Sequence, residues 1–306
     1  MKTVFLFPGQ GSQRSGMLRS LPAEDSVVSG VYSEVKETLG LDPLYFDAEE
    51  KLLSTAYAQV GLLISSVISA RRLQAKGVTP DFVAGHSVGT FSAAVVSGVL
   101  SFKQALSVVH ERGVLMEKAY PHDFGMAALT GMSERKLNAA LEVFNQTHEK
   151  VWLSNVNSGY QMVVSGRKVD LLSLIRQLEG SGIRKAKMLN VAVPSHCPLL
   201  QAVSDALKQQ LEAMDLKEPA IPYGANYTGR VLRTMAAIRE DLYKNVAATV
   251  RWHDVTSVIY EMGARLFIEM EPSGVLSKIA EENFPDAEII MVEGGDPDAI
   301  TWLINH

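Results

Sequence analysis

The apolar positions of this chain change their spacing several times, and each change marks an element. The run Thr3 to Phe7 in "MKTVFLFPGQGSQ" is cut off by Pro8 and Gly9, which predicts a buried first strand. A stretch from about Ala58 to Ala75 has helical length, Phe82 to Gly85 reads as a second buried strand, and two helical patterns follow up to about Ala119. Short buried strands alternating with helices are the rhythm of a parallel sheet with helices on its faces.

From about Phe124 to Asn190 the order is different. "GMAALTGM", "VWLSNV", "YQMVVSG" and "RKAKMLNV" read as strands, with "ERKLNAALEVFNQ" and "KVDLLSLIRQLEG" as helices between them. Strand, helix, strand, strand, helix, strand is the ferredoxin-like order. The expectation is therefore an α/β chain whose large domain, residues 1–123 and 191–306, is interrupted by a small inserted domain at 124–190. Beyond the insertion the pattern gives a helix Leu199 to Met214, a strand near Ile221 to Ala225, helices from about Met235 to Ala247 and across Val255 to Met262, and the strand "RLFIEM".

Composition narrows what such a chain can do. With 47% hydrophobic residues among 306 it can bury a large core, and a formal charge of -5 gives no general attraction to nucleic acid or anionic membrane. No segment approaches the roughly 18 uninterrupted apolar residues of a membrane span. The single cysteine, Cys197, cannot form an internal disulfide, so a cytoplasmic address is expected. Clusters of Cys and His that would hold a metal are absent from the sequence, and no permanently bound cofactor is expected.

Chemistry concentrates at "FVAGHSVGTFSAA". Gly-His-Ser-Val-Gly between a strand and a helix fits a nucleophile elbow, in which a strained bend presents Ser87 and the following amides can stabilise an oxyanion. A plain glycine turn is the alternative. A serine hydroxyl needs a base, and seven histidines compete. His86 adjoins Ser87 on a strand and so faces away; His110 is mid-helix; His122, His148 and His253 have polar or charged neighbours; His306 ends the chain. His196, between Pro194 and Pro198 in a loop after a strand, is the remaining candidate, with helix capping as its other reading.

Arg112 lies in the middle of an apolar helical stripe formed by Ala105, Val108, Val109, Leu115, Met116 and Ala119. A guanidinium there needs a partner: either an internal carboxylate or the carboxylate of a substrate held bidentately. "FPGQGSQ" supplies a second glycine bend that could aim the Gln10 N–H into the same pocket; it lacks the Lys-Ser/Thr of a phosphate loop.

Taken in order, "FPGQGSQ" (7 to 13), "GHSVG" (85 to 89), "ERGVLM" (111 to 116), "NVNSGYQMVVSG" (155 to 166), "VPSHCPLL" (193 to 200) and "TVRW" (249 to 252) resemble the malonyl-CoA:acyl carrier protein transacylase family over nearly the whole chain. The resemblance implies an α/β-hydrolase-like domain with a ferredoxin-like insertion. It implies Ser87 as the acylated nucleophile, His196 as its base, Arg112 as the grip on a malonyl carboxylate, and Gln10 and Val88 as oxyanion donors. The histidine would be oriented by a backbone carbonyl, at the position of Arg251. The substrates implied are malonyl-CoA, a coenzyme A thioester, and the prosthetic-group thiol of an acyl carrier protein. Val88, Thr90 and Phe91 depart from the GHSLGEYSA usual in fatty-acid members, and "GMLRSLP" is short. These traits resemble the malonate decarboxylase epsilon subunit, a malonyltransferase that loads that complex's carrier subunit. Arg184, Lys185 and Lys187 on the insertion are candidates for guiding an acidic carrier.

Overall fold

The computed structural model describes residues 1–120, 122–191, 193–292, 298 and 300–302. Along the chain run β1 (Lys2–Phe7), α1 (Ser26–Leu39), α2 (Thr55–Ala75), β2 (Phe82–Gly85), α3 (Gly89–Val96) and α4 (Phe102–Ala119). There follow β3 (Phe124–Thr130), α5 (Glu134–Phe144), β4 (Trp152–Ser158), β5 (Gln161–Arg167), α6 (Lys168–Leu178) and β6 (Lys185–Met188). The last stretch holds α7 (Gln201–Glu212), β7 (Tyr223–Gly224), β8 (Val231–Leu232), α8 (Met235–Lys244), α9 (Trp252–Glu261), β9 (Ala264–Glu269), α10 (Val275–Asn283) and β10 (Glu288–Met291). Every strand and helix expected from the spacing of apolar positions is present.

The elements not expected have weaker signals. α1 buries only a thin stripe, Val28, Val31 and Val35, among serines and charged residues, and owes its start to Asp25, whose side chain accepts from the Val27 N–H. β8 is two residues long, and α10 and β10 lie at one edge of the sheet. The expected helix to Ala247 ends sooner: α8 stops at Lys244, and Asn245–Ala247 form a separate 3₁₀ turn.

Two sheets organise the molecule. The larger has the order β10-β9-β1-β2-β7-β8, parallel throughout except for β8, which pairs antiparallel with β7. β1 and β2 are buried along almost their whole length, because helices cover both faces. α2 explains its own featureless pattern: it is buried on nearly all sides, against α3 and α4 among others. The smaller sheet, β4-β5-β3-β6, is antiparallel throughout, with α5 and α6 packed over a core that includes Leu137, Leu141, Leu171 and Leu174.

The sheets are joined beside the candidate site. The Val156 N–H donates to the Val250 carbonyl at 2.9 Å, and the Val250 N–H to the Ser154 carbonyl at 2.8 Å. No described helix is long and apolar enough to cross a membrane. His306 lies outside the described residues.

Candidate active site

The parallel strands β1 and β2 end side by side, and the chain leaves both on glycine-bearing turns. After Gly85 the backbone reverses into α3 so tightly that a Cβ at Gly85 would lie 2.1 Å from the Gly89 backbone, and one at Gly89 would lie 2.2 Å from the Phe7 carbonyl oxygen. Only glycine fits either position. Ser87, between them, has φ of 54°, a left-handed conformation that a side chain normally avoids. These are the features of a nucleophile elbow, and the plain-turn alternative does not require them.

The strained turn is held from two sides. Asn226, fully buried just after β7, accepts from the Ser87 N–H at 2.8 Å and donates to the Gly85 carbonyl at 2.6 Å. The Thr90 hydroxyl donates to the Ser87 carbonyl at 2.6 Å. With the Ser87 N–H occupied, the donors left for an oxyanion are the next amides: among the described residues neither the Val88 nor the Gln10 N–H meets an acceptor.

His196 comes to Ser87 from 109 residues away in sequence, with Nε2 at 2.8 Å from the hydroxyl oxygen. Its own φ of 61° is also left-handed. The imidazole Nδ1 lies 2.5 Å from the Asn245 carbonyl. A carbonyl only accepts, so Nδ1 carries the proton and Nε2 is free to receive one from Ser87. Burial lowers the His196 pKa to about 3, helped by the nearby charge of Arg112, so the ring is neutral and ready to act as a base.

The carbonyl expected at Arg251 is therefore at Asn245. The Arg251 carbonyl instead accepts from the Val255 N–H in the first turn of α9, its N–H donates to the Asn226 carbonyl, and its guanidinium binds Glu134 and Asp254. The premature end of α8 is what turns the Asn245 carbonyl toward the histidine.

Arg112 is fully buried in α4 and makes no ion pair among the described residues. Its Nη1 donates to Gln59 at 2.6 Å, its Nη2 reaches the Ser87 oxygen at 3.4 Å, and its Nε has no partner. Burial without a countercharge lowers its pKa to about 10. Among the described residues no internal carboxylate pairs with Arg112 to make it structural. A guanidinium with an unfilled donor beside the Ser87 hydroxyl can bind an anionic group.

Among the described residues the remaining histidines stay out of this constellation. His86 faces β4, with Nε2 at 3.2 Å from both Asn155 and Asn157, and its ring meets Trp252 edge-on. Cys197 is buried, its thiol donating to the Pro194 carbonyl, and burial raises its pKa. A groove of about 530 Å³ opens at His196 between the two sheets, lined by Trp152, Leu153, Pro198, Tyr227, Thr249 and the ion-paired Arg251. Among the described residues no group of three or more His, Cys, Asp or Glu could hold a metal.

Sequence reasoning did not find Gln59, Asn226 or Asn245. Gln59 had a signal, since it is the one large polar residue in the stretch Ala58 to Ala70 of α2, which is otherwise apolar or small. The two asparagines had none.

Comparison with known proteins gives this fold its family. The acyl transferase domain family matches residues 4–294. The chain belongs to that family. It is 34% identical to the malonyl CoA-acyl carrier protein transacylase of Bacillus subtilis over 99% of this chain and 96% of that one. It is 32% identical to the transacylase of the same name from Haemophilus influenzae, covering 95% of each. Among solved structures it superposes on the transacylase of Streptococcus pneumoniae with a TM-score of 0.92 at 32% identity, each chain covered in full. A malonyl-transacylase solved in complex with a type II polyketide acyl carrier protein gives 0.93 at 32% identity, again with both chains covered in full. This acyltransferase thus shares the mixed α/β fold, with its parallel-containing sheet, of the transacylases it resembles.

Proposed function

We propose that this acyltransferase moves a malonyl group from malonyl-CoA to the prosthetic-group thiol of an acyl carrier protein through a malonyl ester on Ser87. The observation that carries the reading is Arg112, a buried guanidinium without a countercharge among the described residues and beside the Ser87 hydroxyl. A malonyl group ends in a carboxylate that fills this vacancy; an acetyl group does not.

In the first half-reaction His196 Nε2 takes the Ser87 proton as the serine oxygen attacks the thioester carbonyl. The Val88 and Gln10 amides stabilise the resulting oxyanion, and its collapse expels the coenzyme A thiolate, which receives the proton from His196. In the second, His196 takes the proton of the carrier thiol, whose sulfur attacks the ester, and returns it to Ser87. The groove beside His196 suits the arm of either thioester. Exposed Arg184, Lys185 and Lys187, on or next to the edge strand β6, are suited to steering an acidic carrier.

The same reading takes 1–123 and 191–306 as an α/β-hydrolase-like domain and 124–190 as a ferredoxin-like insertion, supported by the strand order of each sheet. A cytoplasmic address is part of it, supported by the single buried cysteine. The finer assignment, the epsilon subunit of malonate decarboxylase, rests on Val88, Thr90 and Phe91; carriers of fatty-acid or polyketide synthesis are the alternative, and named relatives favour them.

The test is intact-protein mass after mixing with malonyl-CoA alone. Accumulation of one malonyl group, discharged on adding a carrier, supports transfer. Steady release of free malonate without a carrier means a hydrolase and overturns the proposal. Comparing the decarboxylase carrier subunit with fatty-acid carriers as acceptors decides between the finer readings.

A further inference from the structure

Thr90 stands where the resemblance leads one to expect glutamate, and its hydroxyl does more than start a helix. It gives its one proton to the Ser87 carbonyl at 2.6 Å and accepts from Asn245 Nδ2 at 3.1 Å. Asn245 is the residue whose carbonyl orients His196. The four contacts close a ring that begins and ends on the nucleophile: Ser87 carbonyl, Thr90 hydroxyl, Asn245 side chain and carbonyl, His196 imidazole, Ser87 hydroxyl.

We propose that Thr90 and Asn245 are paired positioning residues that set the distance between Ser87 and His196. In this proposal both act through Ser87 and His196 and not on the substrate. Three observations support the pair. Asn245 is the C-cap of α8, where the helix gives way to a 3₁₀ turn, and its carbonyl faces the His196 ring. Its side chain is fully buried with Oδ1 unpartnered, so the bond to Thr90 is the anchor of that amide among the described residues. Both Ser87 and His196 have left-handed backbones, which persist only where surrounding contacts over-determine them.

The proposal rests on Ser87 and His196 being nucleophile and base, and the experiment separates the two claims. Single-turnover acylation by malonyl-CoA is followed by intact mass for the parent and for S87A, T90V, T90S, N245A and T90V/N245A. S87A tests the nucleophile: a malonyl group still appearing on S87A overturns that reading, whatever Thr90 does. T90V keeps the shape of threonine without the hydroxyl, and its limiting rate is expected to fall on the order of 10²-fold with the half-saturating concentration little changed. T90S restores most of the rate. N245A loses a similar factor, and the double variant is no slower than the slower single, because one linkage is broken once. Parent-like acylation by folded T90V, a loss confined to the half-saturating concentration, or fully additive losses overturns the proposal. Should T90V not fold, N245A with T90S decides alone: parent-like acylation by N245A overturns the pair, and a slow N245A beside a fast T90S supports it.

Discussion

Replacing Arg112 with methionine should move stability and activity in opposite directions. In the free protein the guanidinium is buried with one strong partner, the neutral Gln59. Lowering of its pKa from 12.5 to about 10 corresponds to roughly 3 kcal/mol of unfavourable burial at about 1.4 kcal/mol per pH unit. Methionine has a similar length and no charge, so that penalty disappears. Gln59 Oε1 then loses its donor, at about 1 kcal/mol. The balance favours the variant by about 2 kcal/mol, and its thermal midpoint should be unchanged or higher. Transfer should suffer instead, because a malonyl carboxylate would enter the pocket unpaired. Breaking a buried ion pair by removing one member costs about 3–5 kcal/mol, which is roughly 10²- to 10⁴-fold in kcat/KM. Acetyl transfer, which never used the pair, should be kept. The assay is competition between malonyl-CoA and acetyl-CoA with melting curves on the same preparations. A variant that melts several degrees lower while still preferring malonyl as strongly as the parent would refute the reasoning, for Arg112 would then be a structural residue.

Acylation by malonyl-CoA should be flat from pH 8 down to about 5. The folded His196 is protonated only near 3, so the neutral base is present above that and lost below it; a fall-off centred at the ordinary histidine value in a stopped-flow pH series would contradict this. In the Arg112→Met variant the acid limit should move upward, since the Arg112 charge is the second cause of the lowering. Global stability should also respond to acid. His86 and His196 have folded values of about 4 and about 3, so their contributions are complete above 6.5 and shrink as pH falls, about 1.4 kcal/mol per unit each. Asp241, buried against Tyr223 and raised to about 6, works the other way: its contribution is present below 3.8 and lost as pH rises through 6. Between pH 4 and 6 the net slope from these groups is about one proton, and Asp241→Asn should roughly double it in urea titrations. Finally, Gly85→Ala should cost more than about 4 kcal/mol or abolish folding, because the added carbon meets backbone that no rotamer change can move; soluble, active Gly85→Ala would mean the turn is looser than described.

What the sequence discloses and what it hides divide along a physical line. The strands β1 and β2, the glycines at 85 and 89 and the six elements of the small sheet depend on local periodicity and local sterics, and all could be read in advance. The candidate Ser87 stood out by its turn, and the candidate Arg112 by a charge in an apolar stripe, a contradiction that demands an explanation. The helpers Asn226, Asn245 and Gln59 act across the fold, and an asparagine serving a partner 139 residues away looks like any loop asparagine. The Arg251 expectation failed for a related reason. Which carbonyl faces His196 depends on α8 ending at Lys244 and on α9 drawing the Arg251 carbonyl into its first turn, a difference of six residues that periodicity does not resolve.

The buried charge also has a consequence for the base. Arg112 depresses the basicity of His196 in the empty site. In the proposed mechanism a substrate carboxylate paired with Arg112 cancels that field at the moment Ser87 gives up its proton, so the imidazole becomes a stronger base when the acyl group carries an acid and stays weak when it does not. Selectivity in the proposed mechanism has two parts: the ion pair holds the malonyl group, and the same neutralisation readies the histidine, which lies 2.8 Å from the serine oxygen. The upward shift expected for the acid limit of Arg112→Met measures the second part separately from the first, because that variant removes the field permanently while leaving nothing to bind the carboxylate.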